Sequence, residues 1–397
     1  MINKEDISLQ RRYFEDIFGK YPEISRNSQM LFGAVMFGLL SYRFCTLLMR
    51  KTKLRGKDMH KKTRKEIPEG IGLGCGVSFI CAIFWTSRVY TEHADNLLIC
   101  ACAITLNILL GYVDDTLDLS WGCKLVFPLV ALFPLVMKYE GSTSMVAPFF
   151  GHFDLGAAFY FLLFVLSVFF TNAVNILSGI NGVECGQMLL ISFFLTVDRI
   201  VFFSKGSEML AGLSFSLFTC TLGLFVLNRY PSRCFVGDTF CYFSGSSVLC
   251  IGMVGGFTKT VFLFFLPQLA NFLFSAPQIL GVIPCPRHRL PEMVLKGDVE
   301  YLVPSSTVFR YRRGIAGGMQ KIVVFIATKL KIAKILGAKL AEDGERSFEI
   351  TNFTILNGIL IRTGPIKENT LFNIVAAIQF ATCLSVIALK LAFHPGA

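Results

Sequence analysis

Long apolar runs broken by short polar stretches dominate the chain. The first 28 residues are polar and mixed in charge, and an apolar run from Met30 to Met49 follows. Further apolar segments lie near 71–87, 97–113, 125–137 (the shortest), 155–173, 188–203, 209–228, 240–257, 260–281 and 371–393. A membrane-crossing helix uses about 20 such residues. The run at Met30 is too long for a signal-peptide core and no small-residue cleavage site follows it, so it reads as a first anchor. Continuous runs, rather than strict alternation, argue against a water-filled β-barrel. The pattern predicts an all-α polytopic membrane protein with about ten transmembrane helices and a small cytosolic subdomain between the ninth and tenth. Its parts are a polar tail at 1–29, a nine-helix membrane region at 30–282, a polar segment at 283–370 and a last helix with the C-terminus at 371–397.

Composition narrows the picture. Apolar residues make up 53% of the 397, about 210, enough for at most about ten spans, and charged residues only 16%, against roughly 25% in a soluble domain. Mean hydropathy is +0.59. These values exclude a soluble globular enzyme, a disordered chain and a disulfide-rich secreted domain. Thirteen cysteines are scattered without a CxxC pair or zinc spacing, and read as apolar fillers or reduced thiols. A net charge of +11 fits basic loops at a membrane and not nucleic-acid binding, which needs a basic face on a soluble fold.

Sidedness follows from lysine and arginine. The loop from Arg50 to Lys65 holds nine of them. Placing it in the cytosol puts 50–70, 113–124, 172–187, 229–239 and 283–370 on the same side, with 26 of the 38 basic residues. Both termini then face the opposite, lumenal side. The cytosolic segments also hold the chemically interesting residues. A transporter tends to place polar groups at mid-membrane. Here they gather at one surface, as an enzyme needs when one substrate arrives from water and another from the bilayer.

Four constellations stand out. Gly111-Tyr112-Val113-Asp114-Asp115 ends the third span, and Lys124 begins the next. Adjacent carboxylates at a membrane edge need a compensating cation, so they form a metal or phosphate site, or else an ordinary solvated loop. In the run from Thr171 to Gly182, Asn172 and Asn175 share a helix face. Asn175 offers a neutral oxygen to a hard cation, or the pair glues spans together. Asp238 follows Gly237 in a tight loop entering the eighth span. Pro284-Cys285-Pro286-Arg287-His288-Arg289 follows the ninth, where arginines either clamp phosphate or serve only as cytosolic positive charges.

Together the runs GYVDDTLDLSWGCK, TNAVNILSGINGVECGQ, NRYPSRCFVGDTFCYFSG and FLPQLANFLFSAPQILGVIPCPRHRLPE, with KEIPE at 65–69, resemble the polyprenyl-phosphate N-acetylhexosamine-1-phosphate transferases, of glycosyltransferase family 4. The PCPRHR run favours the eukaryotic, GlcNAc-transferring branch. The resemblance spans roughly residues 50 to 395. It implies a multi-pass endoplasmic reticulum enzyme with a cytosol-facing site, a catalytic region at 30–282 and a sugar-recognition motif in 283–370. It implies transfer of GlcNAc-1-phosphate from UDP-GlcNAc to dolichyl phosphate with Mg²⁺, the first step of N-glycan precursor synthesis, and inhibition by tunicamycin. ER membrane lipids would be further partners, and a homodimer is allowed. A nucleotide-sugar or lipid transporter, or an inactive paralogue, is the alternative. Asn175 and Asp238 match the metal ligands, and Asp114, Asp115 and Lys124 the catalytic group. Arg287 matches a pyrophosphate contact, His288 and Arg289 the sugar loop, Phe235 a uracil-stacking ring, and Asn181 and Glu69 the nucleoside surroundings. Trp121 belongs to the same substrate-binding set. Asp118 departs from the family, whose members carry asparagine there.

Overall fold

The computed structural model describes residues 22–63, 65–147, 151–204, 206–286, 289–340 and 346–393. The apolar segments all fall on helices: α1 (Pro22–Lys51), α2 (Gly72–Val89), α3 (Ala94–Leu117), α4 (Trp121–Met137), α5 (Ala157–Ile176), α6 (Val183–Val201), α7 (Ser207–Asn228), α8 (Gly237–Val254), and the pair α9 (Thr258–Phe264) and α10 (Leu266–Ile279). After α11 (Gly314–Lys329) and α12 (Ile355–Thr363), the chain ends in α13 (Glu368–Phe393). Among the described residues, six helices are long and apolar enough to cross a membrane, or seven if α9 and α10, bent by 65°, count as one span.

The helix α1 starts at Pro22, eight residues before the apolar run. Hydropathy marks the part of a helix that lies in lipid, not its end. The polar extension is held by an Arg26–Glu92 ion pair of 2.8 Å and begins with proline, which suits the first helical turn.

Helix α8 is the axis of the bundle. Every residue from Thr239 to Met253 is buried, with α3 and α5 packed most closely against it. Its serines and glycines let backbones approach: a Cβ on Gly245 would overlap the Phe170 carbonyl. A helix enclosed by other helices needs no greasy face, which is why it reads as less apolar than the outer spans. Deeper in the bundle, Gln268 donates to Gln187 (2.6 Å) and Gln379 (2.8 Å), tying α6, α10 and α13.

Among the described residues, nine short strands qualify the all-α expectation. The strands β1 (Arg55–Lys57) and β2 (Glu66–Pro68) pair antiparallel in the first polar loop. A hairpin of β3 (Ser144–Ala147) and β4 (Gly151–Asp154) lies between α4 and α5. The 283–370 segment is an α/β unit. It contains a hairpin of β5 (Glu292–Lys296) and β6 (Val299–Val303) and an antiparallel sheet in which β9 (Arg346–Thr351) lies between β7 (Ser306–Phe309) and β8 (Ile335–Leu340). Gly297, at φ 64°, makes the tight hairpin turn possible. The helix α11 crosses the inner face of the sheet, where Val324 and Ala327 join Phe309, Ile350 and Phe353 in a small core.

Candidate active site

The backbones of α3 and α8 meet directly, for a Cβ on Gly111 would overlap the Thr239 Cα. This contact brings the paired aspartates of α3 against the first turn of α8, and the two then separate in role. Asp115 accepts hydrogen bonds from the Asp238 N–H (2.6 Å), the Thr239 N–H (3.2 Å) and the Thr239 hydroxyl (2.6 Å). It caps α8 from a neighbouring helix, satisfying amides that have no partner within α8 itself. Gly237 sits at φ 77°, and any side chain there would run into the Asp115 carboxylate. Asp114 accepts from the Leu119 N–H (2.9 Å) and the Tyr242 hydroxyl (2.6 Å) and pairs with Lys124 (2.9 Å). Lys124 thus reaches back from the start of α4 to Asp114.

Asp238, relieved of capping, faces inward. Its Oδ1 accepts from Asn175 Nδ2 at 2.8 Å, and its carboxyl lies within hydrogen-bonding reach of Asp114. Asn172 behaves differently: its amide donates to the carbonyls of Lys124 (3.2 Å) and Val168 (3.0 Å) and binds α5 to the start of α4. Of the two asparagines on one face, one is glue and one reaches the site.

The residues that the resemblance assigns to the nucleoside converge only partly. The 234–236 segment is pinned to the first loop by Phe235 N–H to Pro68 O (2.8 Å) and Gly72 N–H to Val236 O (2.8 Å). Both the Phe235 ring and the Glu69 carboxylate crowd the position of a missing Cβ at Gly56, so ring and carboxylate stand side by side. Burial, then the charge of Asp115, pushes the Glu69 carboxyl above the usual range. Trp121 is exposed, with the Lys124 ammonium 5.9 Å from its ring centre.

Asn181 is buried in a network that sequence reasoning missed. Its N–H donates to Glu368 (2.7 Å) and its amide to Asp58 (3.2 Å). Glu368 also pairs with Lys61 and lies 3.7 Å from the His60 ring, whose other nitrogen bonds the Pro291 carbonyl (3.0 Å). Burial acts to lower the Lys61 pKa, but the Glu368 hydrogen bond and charge outweigh it and raise it. Leu290 lies where a side chain on Gly179 would be, so the proline-rich loop is clamped onto the asparagine loop. Arg287 and His288 lie outside the described residues. Arg289 is described: its carbonyl accepts from Ser305 and Asn357, while its Nη1 is buried without a hydrogen-bond partner among the described residues. A buried orphan donor of this kind is costly unless a ligand completes it. Of the missed groups, Tyr242 carried one signal, its position four residues after Asp238 on one helix face. Glu368 carried a weaker one, as an acid opening a span.

Asp118 ends α3 with φ 50°. Aspartate and asparagine are the residues other than glycine that tolerate this left-handed state, so the backbone accepts either.

Asp114, Asp115 and Asp238 put three carboxylates beside one lysine. Asp115 is satisfied by amides and Asp114 by Lys124 and Tyr242, which leaves Asp238 with a neutral amide. Rotating that amide would turn its oxygen to the same space, giving the oxygen-only donors a hard divalent cation accepts. Among the described residues no group of three or more His, Cys, Asp or Glu has metal-binding geometry, so the donor set is one carboxylate and one amide.

Bundle and site define a helical membrane protein whose candidate site residues gather where α3, α4, α5 and α8 meet the first polar loop. The family described as Glycosyl transferase family 4 matches residues 97–256, from α3 through the end of α8. Three relatives carry the name UDP-N-acetylglucosamine–dolichyl-phosphate N-acetylglucosaminephosphotransferase. The one from Dictyostelium discoideum is 36% identical, over 72% of this chain and 80% of its own. That from Schizosaccharomyces pombe is 32% identical over 84% of each. That from Saccharomyces cerevisiae is 30% identical over 93% and 92%. The chain belongs to this family of phosphotransferases.

Proposed function

We propose that the protein transfers GlcNAc-1-phosphate from UDP-GlcNAc to dolichyl phosphate, giving dolichyl-pyrophosphate-GlcNAc and UMP. The observation that carries this reading is the convergence of Asp114, Lys124, Asn175 and Asp238 at one end of the bundle, in a chain whose relatives bear that enzyme's name.

The nucleophile is an oxygen of dolichyl phosphate. A phosphate monoester has its second pKa near about 6, so at neutral pH it needs no strong base. The barrier is to bring this dianion onto an anionic diphosphate, and charge neutralisation with positioning lowers it. Lys124, oriented by Asp114, supplies a fixed cation at the reacting phosphates. Tyr242 donates to the same Asp114 oxygen that Lys124 contacts, and Asp115 locks the α8 turn that presents Asp238. Asp238 and Asn175 would hold Mg²⁺, which when bound neutralises diphosphate charge. Phe235 stacks on the uracil beside Glu69 and Asn181, Arg287 binds the pyrophosphate, and His288 and Arg289 read the sugar, with the Arg289 Nη1–H donating to the acetamido oxygen. Trp121 lines the lipid side of the lysine. The spans number ten, in the endoplasmic reticulum membrane, with this end of the bundle in the cytosol. That level is where the phosphate of a membrane-held polyprenol sits.

The test is release of UMP from UDP-GlcNAc by purified protein, with dolichyl phosphate and Mg²⁺ both present. Loss of release on omitting either is expected. UMP formed equally without dolichyl phosphate would reject the transfer.

A further inference from the structure

The α11 helix presents two faces. Gly317, Gln320, Val324 and Ala327 are buried against the subdomain core. On the opposite side Ile315, Met319, Ile322, Phe325, Ile326 and Leu330 are all exposed, Ile315 to 93% and Phe325 to 61%. At 3.6 residues per turn these six span an arc of roughly 140°. Exposing that much contiguous apolar surface to water is unfavourable, and no described element covers it.

Two further observations name the cover. From Pro304 to Leu340 the chain carries eight lysines and arginines and no acidic residue. The helix also sits at the level where α10 ends at Ile279. Gln320 donates to the Val282 carbonyl (2.8 Å) and Arg312 to the Gly281 carbonyl (3.3 Å), and Phe274 of α10 packs on the same core. Along α10, Leu266, Leu273 and Leu280, seven apart, stay exposed up to this level, as a lipid-facing stripe would.

We propose that α11 lies in the interface of an anionic lipid leaflet, with its apolar face in the acyl boundary and its cations at the headgroups. Burying about six large side chains gives a strong hydrophobic contribution, and each nearby lysine or arginine adds about 1 kcal/mol of attraction to an anionic surface. Lys321 and Lys329 extend to the headgroups along their apolar stems. The contact anchors the subdomain that carries the proline-rich loop. The inference rests on the reading that α10 lies in a bilayer, but not on the reaction.

The experiment places one added tryptophan at a time in the full-length protein in vesicles. Phe325→Trp reports on the helix. Val308→Trp, exposed on the sheet face turned away from α11, is the water reference, and Leu273→Trp the lipid reference. Emission is read as the difference from the parent, in phosphatidylcholine–phosphatidylserine vesicles with and without brominated acyl chains. The Phe325→Trp signal should be blue-shifted and lose roughly half its intensity to brominated lipid, whereas the Val308→Trp signal should not change. Quenching at Phe325→Trp should weaken in pure phosphatidylcholine or high salt, and quenching at Leu273→Trp should not. An unquenched Phe325→Trp beside a quenched Leu273→Trp would overturn the proposal, and a blue shift without quenching would assign the face to a second copy or another protein. Quenching insensitive to lipid charge would overturn the anionic requirement. An unquenched Leu273→Trp would instead remove the bilayer reading beneath it.

Discussion

Asp114 and Asp115 are neighbours in the chain, and no sequence argument separates them, yet their partners differ completely. Asp115 is consumed by the amides and hydroxyl at the start of α8, so Asp115→Asn should cost stability as well as activity. Removing a charged acceptor from buried donors costs about 1–3 kcal/mol, and thermal unfolding in detergent should show the loss. Asp114→Asn should leave the unfolding temperature closer to the parent while turnover collapses, because it weakens the Lys124 pair. Equal stability of the two variants would refute the division. Asp238 offers a sharper test. It does not cap its own helix, so Asp238→Asn should fold normally while turnover drops by about two orders of magnitude or more, as expected when a hard cation loses its anionic ligand. Raising Mg²⁺ should recover part of the activity. Near-normal turnover at sub-millimolar Mg²⁺ would remove Asp238 from the metal site.

At the scale of elements, the site depends on how the polar loops are tied to the helix ends. The first turn of α13 supplies Glu368, which holds the Asn181 backbone directly and the proline-rich loop through His60 and Pro291. We assign Glu368 a positioning role, exerted through the loops it ties together. Glu368→Gln keeps an acceptor but loses the charge that balances Lys61. It should raise the KM for UDP-GlcNAc several-fold and change kcat less, a split that kinetics at varied nucleotide sugar will read. A fall in kcat at constant KM would place Glu368 in the chemistry instead. Arg289 belongs to the loop so held. Arg289→Ala should narrow the preference for UDP-GlcNAc over UDP-glucose, and an unchanged preference would exclude it from sugar selection.

At the scale of the whole molecule, the charge distribution sets the expected orientation and the fold supplies a place to test it. The natural sequon Asn352-Phe353-Thr354 has its asparagine only 1% exposed, bonded to Gln278, Thr307 and Ser305. Asp298, at the tip of the β5–β6 hairpin, is fully exposed. Asp298→Asn with Glu300→Thr creates an accessible sequon, and in eukaryotic cells it should show no glycosidase-sensitive mass shift; a shift would reverse the topology. The sequence by itself determined the apolar segments, the basic loops between them and the residue runs of the family, because solvent preference and short motifs are local properties of a chain. Local composition does not carry everything: α1 reaches back to Pro22, beyond the apolar run, and the basic stretch from Lys321 to Lys339 passes from α11 into β8. The tertiary structure alone decided that Asp115 caps while Asp238 faces Asn175, that Asn172 is glue, and that Glu368, 187 residues from Asn181, fixes its loop. Those choices depend on which backbones touch, through contacts such as Gly111 against Thr239, and no window of sequence contains both sides of such a contact.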